Sequence, residues 1–197
     1  MKNSKELLTN IILLTGSIIL FLIITEIAVR NFYPLTLHDV VYDTEKHYYR
    51  YEPNTPVTYR STQLFVNEYK LNYHHNSKGF SDTEHTYENK HNKTRIVAVG
   101  DSFTEGSATE QNKSFVRQLE HIFNQNKEKH EIINLGIGGT GPDNYYLTYL
   151  NEGRLYKPDI LLLGLFVGND ITHKPILFDI INDTITPKRP EREKSLF

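Results

Sequence analysis

RIVAVGDSFTEG, residues Arg95 to Gly106, runs from a short apolar, β-favouring stretch into Gly-Asp-Ser and on into a stretch that reads as helix. The same form recurs twice downstream. EIINLG (Glu131 to Gly136) leads into Gly138, Gly139 and Gly141, and DILLLGLFV (Asp159 to Val167) leads into Gly168, Asn169 and Asp170. Two helical patterns separate the three runs. Ser114 to Asn126 lines Phe115, Val116, Leu119, Ile122 and Phe123 along one face, and Pro142 to Tyr156 opens on the proline favoured at a first helical position. Continuous apolar strands alternating with helices predict an α/β fold with a parallel sheet covered on both faces. Three such strands are few for this kind of sheet. The following segment, Lys174 to Lys188, reads as a hairpin turning at Asn182 and Asp183, and the PKRPEREK stretch after it is polar. The expectation is a parallel sheet that is incomplete at the C-terminus.

In such sheets ligands gather at the carboxyl ends of the strands. The loops Gly100 to Gly106, Gly136 to Gly141 and Gly168 to Asp170 are therefore predicted along one edge. Ser102 stands just past a strand, where its hydroxyl and its N–H face whatever binds there. Gly139 brings a second N–H close with no side chain in the way, and Asn169 offers an amide donor. Three donors converging on a serine oxygen describe an oxyanion hole for acyl transfer. Two other readings compete. A serine at a helix start is commonly only its N-cap. Gly136, Gly138 and Gly141 also spell the GxGxxG of dinucleotide binding, but that unit wants an acidic residue ending the next strand, whereas Asp159 opens it and Asp170 comes after Asn169. GDSFT is not the GxSxG elbow either, since Thr104 occupies the last glycine position.

The chain of 197 residues is 38% hydrophobic and 23% charged, with a net charge of −2 and no long basic run, which argues against a nucleic-acid partner. Cysteine is absent, so disulfides, thiolate metal sites and thiol nucleophiles are excluded. Leu7 to Val29 is mostly apolar, unbroken from Ile18 to Ile24, and long enough to span a bilayer. Lys2, Lys5 and the α-amino group precede it and Arg30 follows, which predicts a cytoplasmic N-terminus with the remainder outside the membrane. A cleaved signal peptide would need small residues correctly spaced near Ala28, and Val29 and Arg30 follow instead. Residues 1–30 thus read as a cytoplasmic tip and single-pass anchor. Residues 31–92 read as a stalk and small β element, with Pro34, Pro53 and Pro56, an alternating stretch from Gln63 to Leu71 and turn residues in HNSKGFSD (His75 to Asp82). Residues 93–197 hold the α/β region. His74, His75, His85 and His91 lack the spacing of metal ligands on a regular element, and neither metal nor cofactor is expected.

GDSFTEG (Gly100 to Gly106) resembles the first sequence block of the SGNH hydrolases, the GDSL-like lipase/acylhydrolase family. NLGIGGTGPDN (Asn134 to Asn144) resembles the second and FVGND (Phe166 to Asp170) the third. The anchor, the stalk and NSKGFSD are similar to the membrane-tethered bacterial branch. The resemblance implies a three-layer, flavodoxin-like sheet, with Ser102 as nucleophile and its own N–H, the Gly139 N–H and the Asn169 side chain as the hole. It implies hydrolysis of an acyl ester, on a cell-surface glycan or lipid, with O-acyl transfer as a chemical neighbour and a catalytically silent relative as the alternative. It also implies a general base from a DxxH block late in the domain, which has no obvious equivalent up to Phe197. DTEH (Asp82 to His85) precedes the nucleophile. DITH (Asp170 to His173) overlaps the third block and makes His173 the candidate base within this chain, since His121 lies far down a helix and His130 precedes its strand. Without a base the serine stays protonated, so the chain is expected to be the N-terminal part of a larger enzyme and a poor catalyst by itself.

Overall fold

A computed structural model describes residues 2–32, 40–60, 70–125, 129–172, 177–181 and 184–187. They belong to two compact units. The first is essentially one helix, α1 (Lys2–Phe32), whose 31 residues at about 1.5 Å each exceed a hydrocarbon thickness of about 30 Å. Its stretch Ser4–Val29 is long and apolar enough to cross a membrane, and its apolar side chains are uncovered. The hydroxyls of Thr9 and Ser17 bond back to the carbonyls of Lys5 and Leu13 at 2.9 and 2.8 Å, so neither is left unsatisfied along this apolar surface.

The second unit contains all the other elements. β1 (Val40–Asp43) and β2 (Tyr48–Tyr51) form an antiparallel hairpin, and β3 (Pro56–Arg60) pairs with β4 (Lys70–His74). Of the alternating stretch Gln63 to Leu71, only Lys70 and Leu71 are described, in β4. The HNSKGFSD segment does turn: Asn76 Oδ1 accepts the N–H groups of Lys78 and Phe80 at 3.0 and 3.1 Å, and Gly79 takes a φ of +82° where a Cβ would lie 2.2 Å from the Tyr51 carbonyl oxygen.

Then follow β5 (Thr94–Val99), α2 (Ser102–Glu105), α3 (Phe115–Asn124), β6 (His130–Asn134), α4 (Pro142–Asn151) and β7 (Ile160–Leu163). The chain ends its described part in an antiparallel hairpin, β8 (Phe178–Ile181) with β9 (Thr184–Pro187). The expected turn residues Asn182 and Asp183 lie outside the described residues. β5, β6 and β7 make a parallel sheet in the order β6-β5-β7. The chain steps from the central strand to one neighbour and then crosses to the other side, so the order reverses at β5, the position where open α/β sheets form a crevice. Ala98 pairs with Asn134 and Val99 with Leu163, which brings the three strand ends level.

Strand alternation divides the core. Val97 and Val99 face Ile133, Leu135, Tyr145, Leu147 and Tyr156, together with Tyr48, Tyr51 and Phe80 from upstream. Ile96 and Ala98 face the other way, onto Ile132 and the α3 residues Val116 and Leu119. β2 is tied to α4 through one side chain: Asn144 accepts the Tyr49 N–H at 2.6 Å and donates to the Tyr49 carbonyl at 3.2 Å. The mixed α/β class expected from the sequence is therefore present, with its parallel sheet and apolar N-terminal helix. Both faces of the central strand β5 are covered, by α4 on one side and α3 on the other, but β7 is left largely exposed. DILLLGLFV forms a strand only over Ile160–Leu163, and Ile160, Leu161 and Leu163 remain 49%, 45% and 51% exposed. β7 is an edge strand, and beyond Gly164 the chain turns away because the Asp170 carboxylate captures the Phe166 N–H at 2.8 Å. The apolar stripe of α3 is likewise only partly used: Val116 is buried, whereas Phe115 and Ile122 are exposed.

Candidate active site at the strand ends

α2 is a single turn set on glycines. Asp101 is its N-cap, with extended backbone and a side chain that accepts the Phe103 N–H at 2.9 Å. Ser102 is thus the first helical residue and not the cap, which corrects the capping alternative for this serine. Among the described residues, neither its hydroxyl nor its N–H has a hydrogen-bond partner. Gly106, at φ +84°, closes the turn by donating its N–H to the Ser102 carbonyl at 3.1 Å.

Within two residues of the end of each strand stands a glycine against which α2 sits. A Cβ on Gly100 would lie 2.1 Å from Thr104 Oγ1, one on Gly164 would lie 2.2 Å from the same oxygen, and one on Gly136 would lie 2.4 Å from the Glu105 nitrogen. Thr104 fills the space so created and is 1% exposed. Asn134, the last residue of β6, fastens the arrangement: its Nδ2 donates to the Thr104 carbonyl at 2.8 Å and its Oδ1 accepts the Gly136 N–H at 3.0 Å.

The second loop turns at Gly138 and Gly139. A Cβ on Gly138 would lie 3.5 Å from Ser102 Cβ, so the turn stands against the serine. Gly139, at φ +74°, has open space around it, and its N–H meets no partner among the described residues. Asn169, in the third loop, is exposed with its side-chain amide uncommitted among the described residues. Its neighbour Asp170 is 6% exposed and receives the Phe166 N–H and, at 3.0 Å, the Tyr145 hydroxyl, anchoring the loop to α4. Burial first, and then the Asp170 hydrogen bond and charge, push the Tyr145 phenol well above its ordinary range, so it stays a donor. Phe103 and Phe166 stack at 4.6 Å beside Ser102 and Asn169 and are 63% and 38% exposed, giving this edge an apolar flank.

The histidines resolve differently. DTEH does form a pair, His85 Nε2 to Asp82 Oδ2 at 3.1 Å, but His85 Nδ1 contacts Glu131 at 3.0 Å, near the start of β6. Burial disfavours its charge, yet the Asp82 and Glu131 carboxylates outweigh this and hold its pKa above the ordinary histidine value. Glu131 also binds Arg95 Nε at 2.8 Å, and Asp82 accepts the Asn134 N–H at 2.7 Å. This cluster braces the flank of β6, and among the described residues no hydrogen bond joins it to Ser102. His121 is on α3 and His130 opens β6. His173 lies outside the described residues. Among the described residues, no group of three or more His, Asp and Glu side chains is placed to hold a metal ion.

The sequence points to Ser102, Gly139 and Asn169, with His173 as candidate base, and not to Asp101, Glu105 or Tyr51. The first two stand inside GDSFTEG, Asp101 as an acidic residue at the start of a helical stretch and Glu105 just before Gly106; Tyr51 carries no such signal. No protein-family model, no curated protein and no solved structure matches this chain.

Proposed function

We propose that this chain is a membrane-anchored serine acyl-ester hydrolase of the SGNH type, with Ser102 as nucleophile and the N–H groups of Ser102 and Gly139 and the Asn169 side chain as its oxyanion hole. The observation that carries the reading is the uncommitted Ser102 hydroxyl at the end of the central strand, against the Gly138–Gly139 turn and at the reversal of strand order. Attack by Oγ on an ester carbonyl turns the carbonyl oxygen into an oxyanion, and fixed donors favour that charge over the neutral ground state. The hydroxyl proton passes to a base, for which His173, three residues beyond Asp170, is the candidate in this chain. The Phe103–Phe166 pair supports an apolar acyl group lying along that edge. The α1 helix holds the site at the membrane, with the two N-terminal lysines cytoplasmic and the hydrolase unit outside, where cell-surface glycans and lipids carry acyl esters.

One observation favours a second reading, a catalytically silent relative that binds such an ester: the Ser102 hydroxyl has no histidine partner among the described residues. Ester hydrolysis by the purified chain separates the two. Hydrolysis of a short-chain nitrophenyl ester falls to background in Ser102→Ala, and by about 10²–10³-fold in Asn169→Ala, if the first holds. Ser102→Ala with full activity refutes it.

A further inference from the structure

Glu105 is 3% exposed, and its carboxylate receives three hydroxyls: Tyr51 at 2.8 Å, Ser107 at 2.8 Å and Ser81 at 3.1 Å. The Tyr51 oxygen in turn accepts the Gly138 N–H at 3.0 Å. The direction of this chain is fixed, because a backbone N–H only donates, so the phenol oxygen accepts from Gly138 and its single proton goes to the carboxylate. We propose that Tyr51 and Glu105 are positioning residues of the Ser102 site, a strut between α2 and the Gly138–Gly139 turn that sets where the Gly139 N–H stands relative to the serine.

Both ends of the strut are on the site. Glu105 shares a single helical turn with Ser102, and Gly138 is covalently next to Gly139. The strut also determines which amide is available: the Gly138 N–H is consumed by Tyr51, which leaves that of Gly139 uncommitted among the described residues. The packing leaves no slack, since a Cβ on Gly138 would lie 2.8 Å from Glu105 Oε2 and 3.0 Å from the Tyr51 oxygen. Tyr51 is 1% exposed, and its ring lies flat on that of His75, with centroids 4.1 Å apart and planes 6° from parallel. Burial first, and then the Glu105 charge, raise the phenol far above its ordinary range, so it remains a donor at every working pH. A buried hydrogen bond of this kind is not readily replaced by water.

The catalytic consequence rests on the serine-hydrolase reading, whereas the bracing of the turn does not. The test uses the full chain in detergent micelles, labelled with ¹⁵N-glycine, as wild type, Ser102→Ala, Tyr51→Phe, Glu105→Ala and Glu105→Gln. Two quantities are read: amide hydrogen exchange at Gly138, and kcat and KM for nitrophenyl acetate above the Ser102→Ala background. Tyr51→Phe keeps the stacked ring and should leave KM within about twofold, while kcat falls about 10- to 100-fold, as for a reacting geometry misplaced by up to about 1 Å. Exchange at Gly138 should rise at least about tenfold as its amide loses its partner. Glu105→Gln retains an acceptor for Tyr51 and should recover most of the rate lost in Glu105→Ala, which a merely space-filling role would not produce. Wild-type kcat and wild-type Gly138 exchange in Tyr51→Phe overturn the proposal and leave the hydrolase reading standing. A wild-type rate no higher than that of Ser102→Ala overturns the hydrolase reading instead; unchanged Gly138 exchange in Tyr51→Phe then overturns the strut as well, and accelerated exchange upholds it.

Discussion

Replacing Gly136 by alanine presses a methyl group into the backbone of the turn that carries Ser102. The added Cβ would lie 2.4 Å from the Glu105 nitrogen, 2.8 Å from the Thr104 carbonyl carbon and 2.9 Å from the Glu105 Cα. Every one of these is a backbone atom, so no side chain can swing aside. Restoring contact at about 3.5 Å requires α2 to retreat by roughly 1 Å. It cannot do so freely, because Thr104 is held between Gly100 and Gly164 and the Thr104 carbonyl is bonded to Asn134 at 2.8 Å. Forced overpacking of this kind costs about 1–3 kcal/mol. For a chain of this size each kcal/mol is worth about 2–4 °C, so Gly136→Ala should lower Tm by about 2–12 °C. If Ser102 is the nucleophile, a displacement of about 1 Å also removes about 10²-fold in rate. Gly139→Ala is the control: it meets nothing within 4 Å and carries only the strain of φ +74°, about 1–2 kcal/mol. Thermal unfolding followed by circular dichroism measures the first effect and ester hydrolysis the second. A Gly136→Ala protein as stable and as active as wild type would refute the account of how α2 is seated.

Two further outcomes concern the flank of β6. His85 is held above its ordinary pKa by Asp82 and Glu131, against its burial and the nearby Arg117, so the stability it contributes is complete below the unfolded histidine value and is lost as pH rises through the folded one. Denaturant titrations across that window should show wild type losing stability with rising pH and His85→Gln staying level; parallel curves would contradict this. Arg95 is 2% exposed, pairs with Glu131 at 2.8 Å and donates its remaining N–H groups to the carbonyls of Thr86, Tyr87, Glu88 and Tyr156. Arg95→Met should therefore remove about 3–5 kcal/mol of unfolding free energy, and a loss below about 1 kcal/mol would show that the cluster does not brace the sheet.

Local pattern alone placed the three strands of the parallel sheet, the helices between them and the apolar N-terminal segment, but not the β1–β2 hairpin, which falls in the stretch that reads as stalk. Apolar runs in 96–99, 131–136 and 159–167 can be read without neighbours because burial demands the same side chains wherever the strand lies. That the loops holding Ser102, Gly139 and Asn169 each follow the carboxyl end of a parallel strand can be read in the same way. Strand order does not follow from local pattern, and neither does the exposure of Ile160, Leu161 and Leu163, which depends on β7 being at an edge. Glycine in 100, 136 and 164 reads as loop; its meaning as the seat of α2 exists only once three strands stand side by side. The same holds for DTEH, whose histidine is oriented by Glu131, 46 residues away in sequence. Tyr51 marks the limit most sharply. In the sequence it is one of 13 tyrosines. Its contact with Gly138, 87 residues distant, is made by packing between segments, and no periodicity or motif encodes a contact of that kind.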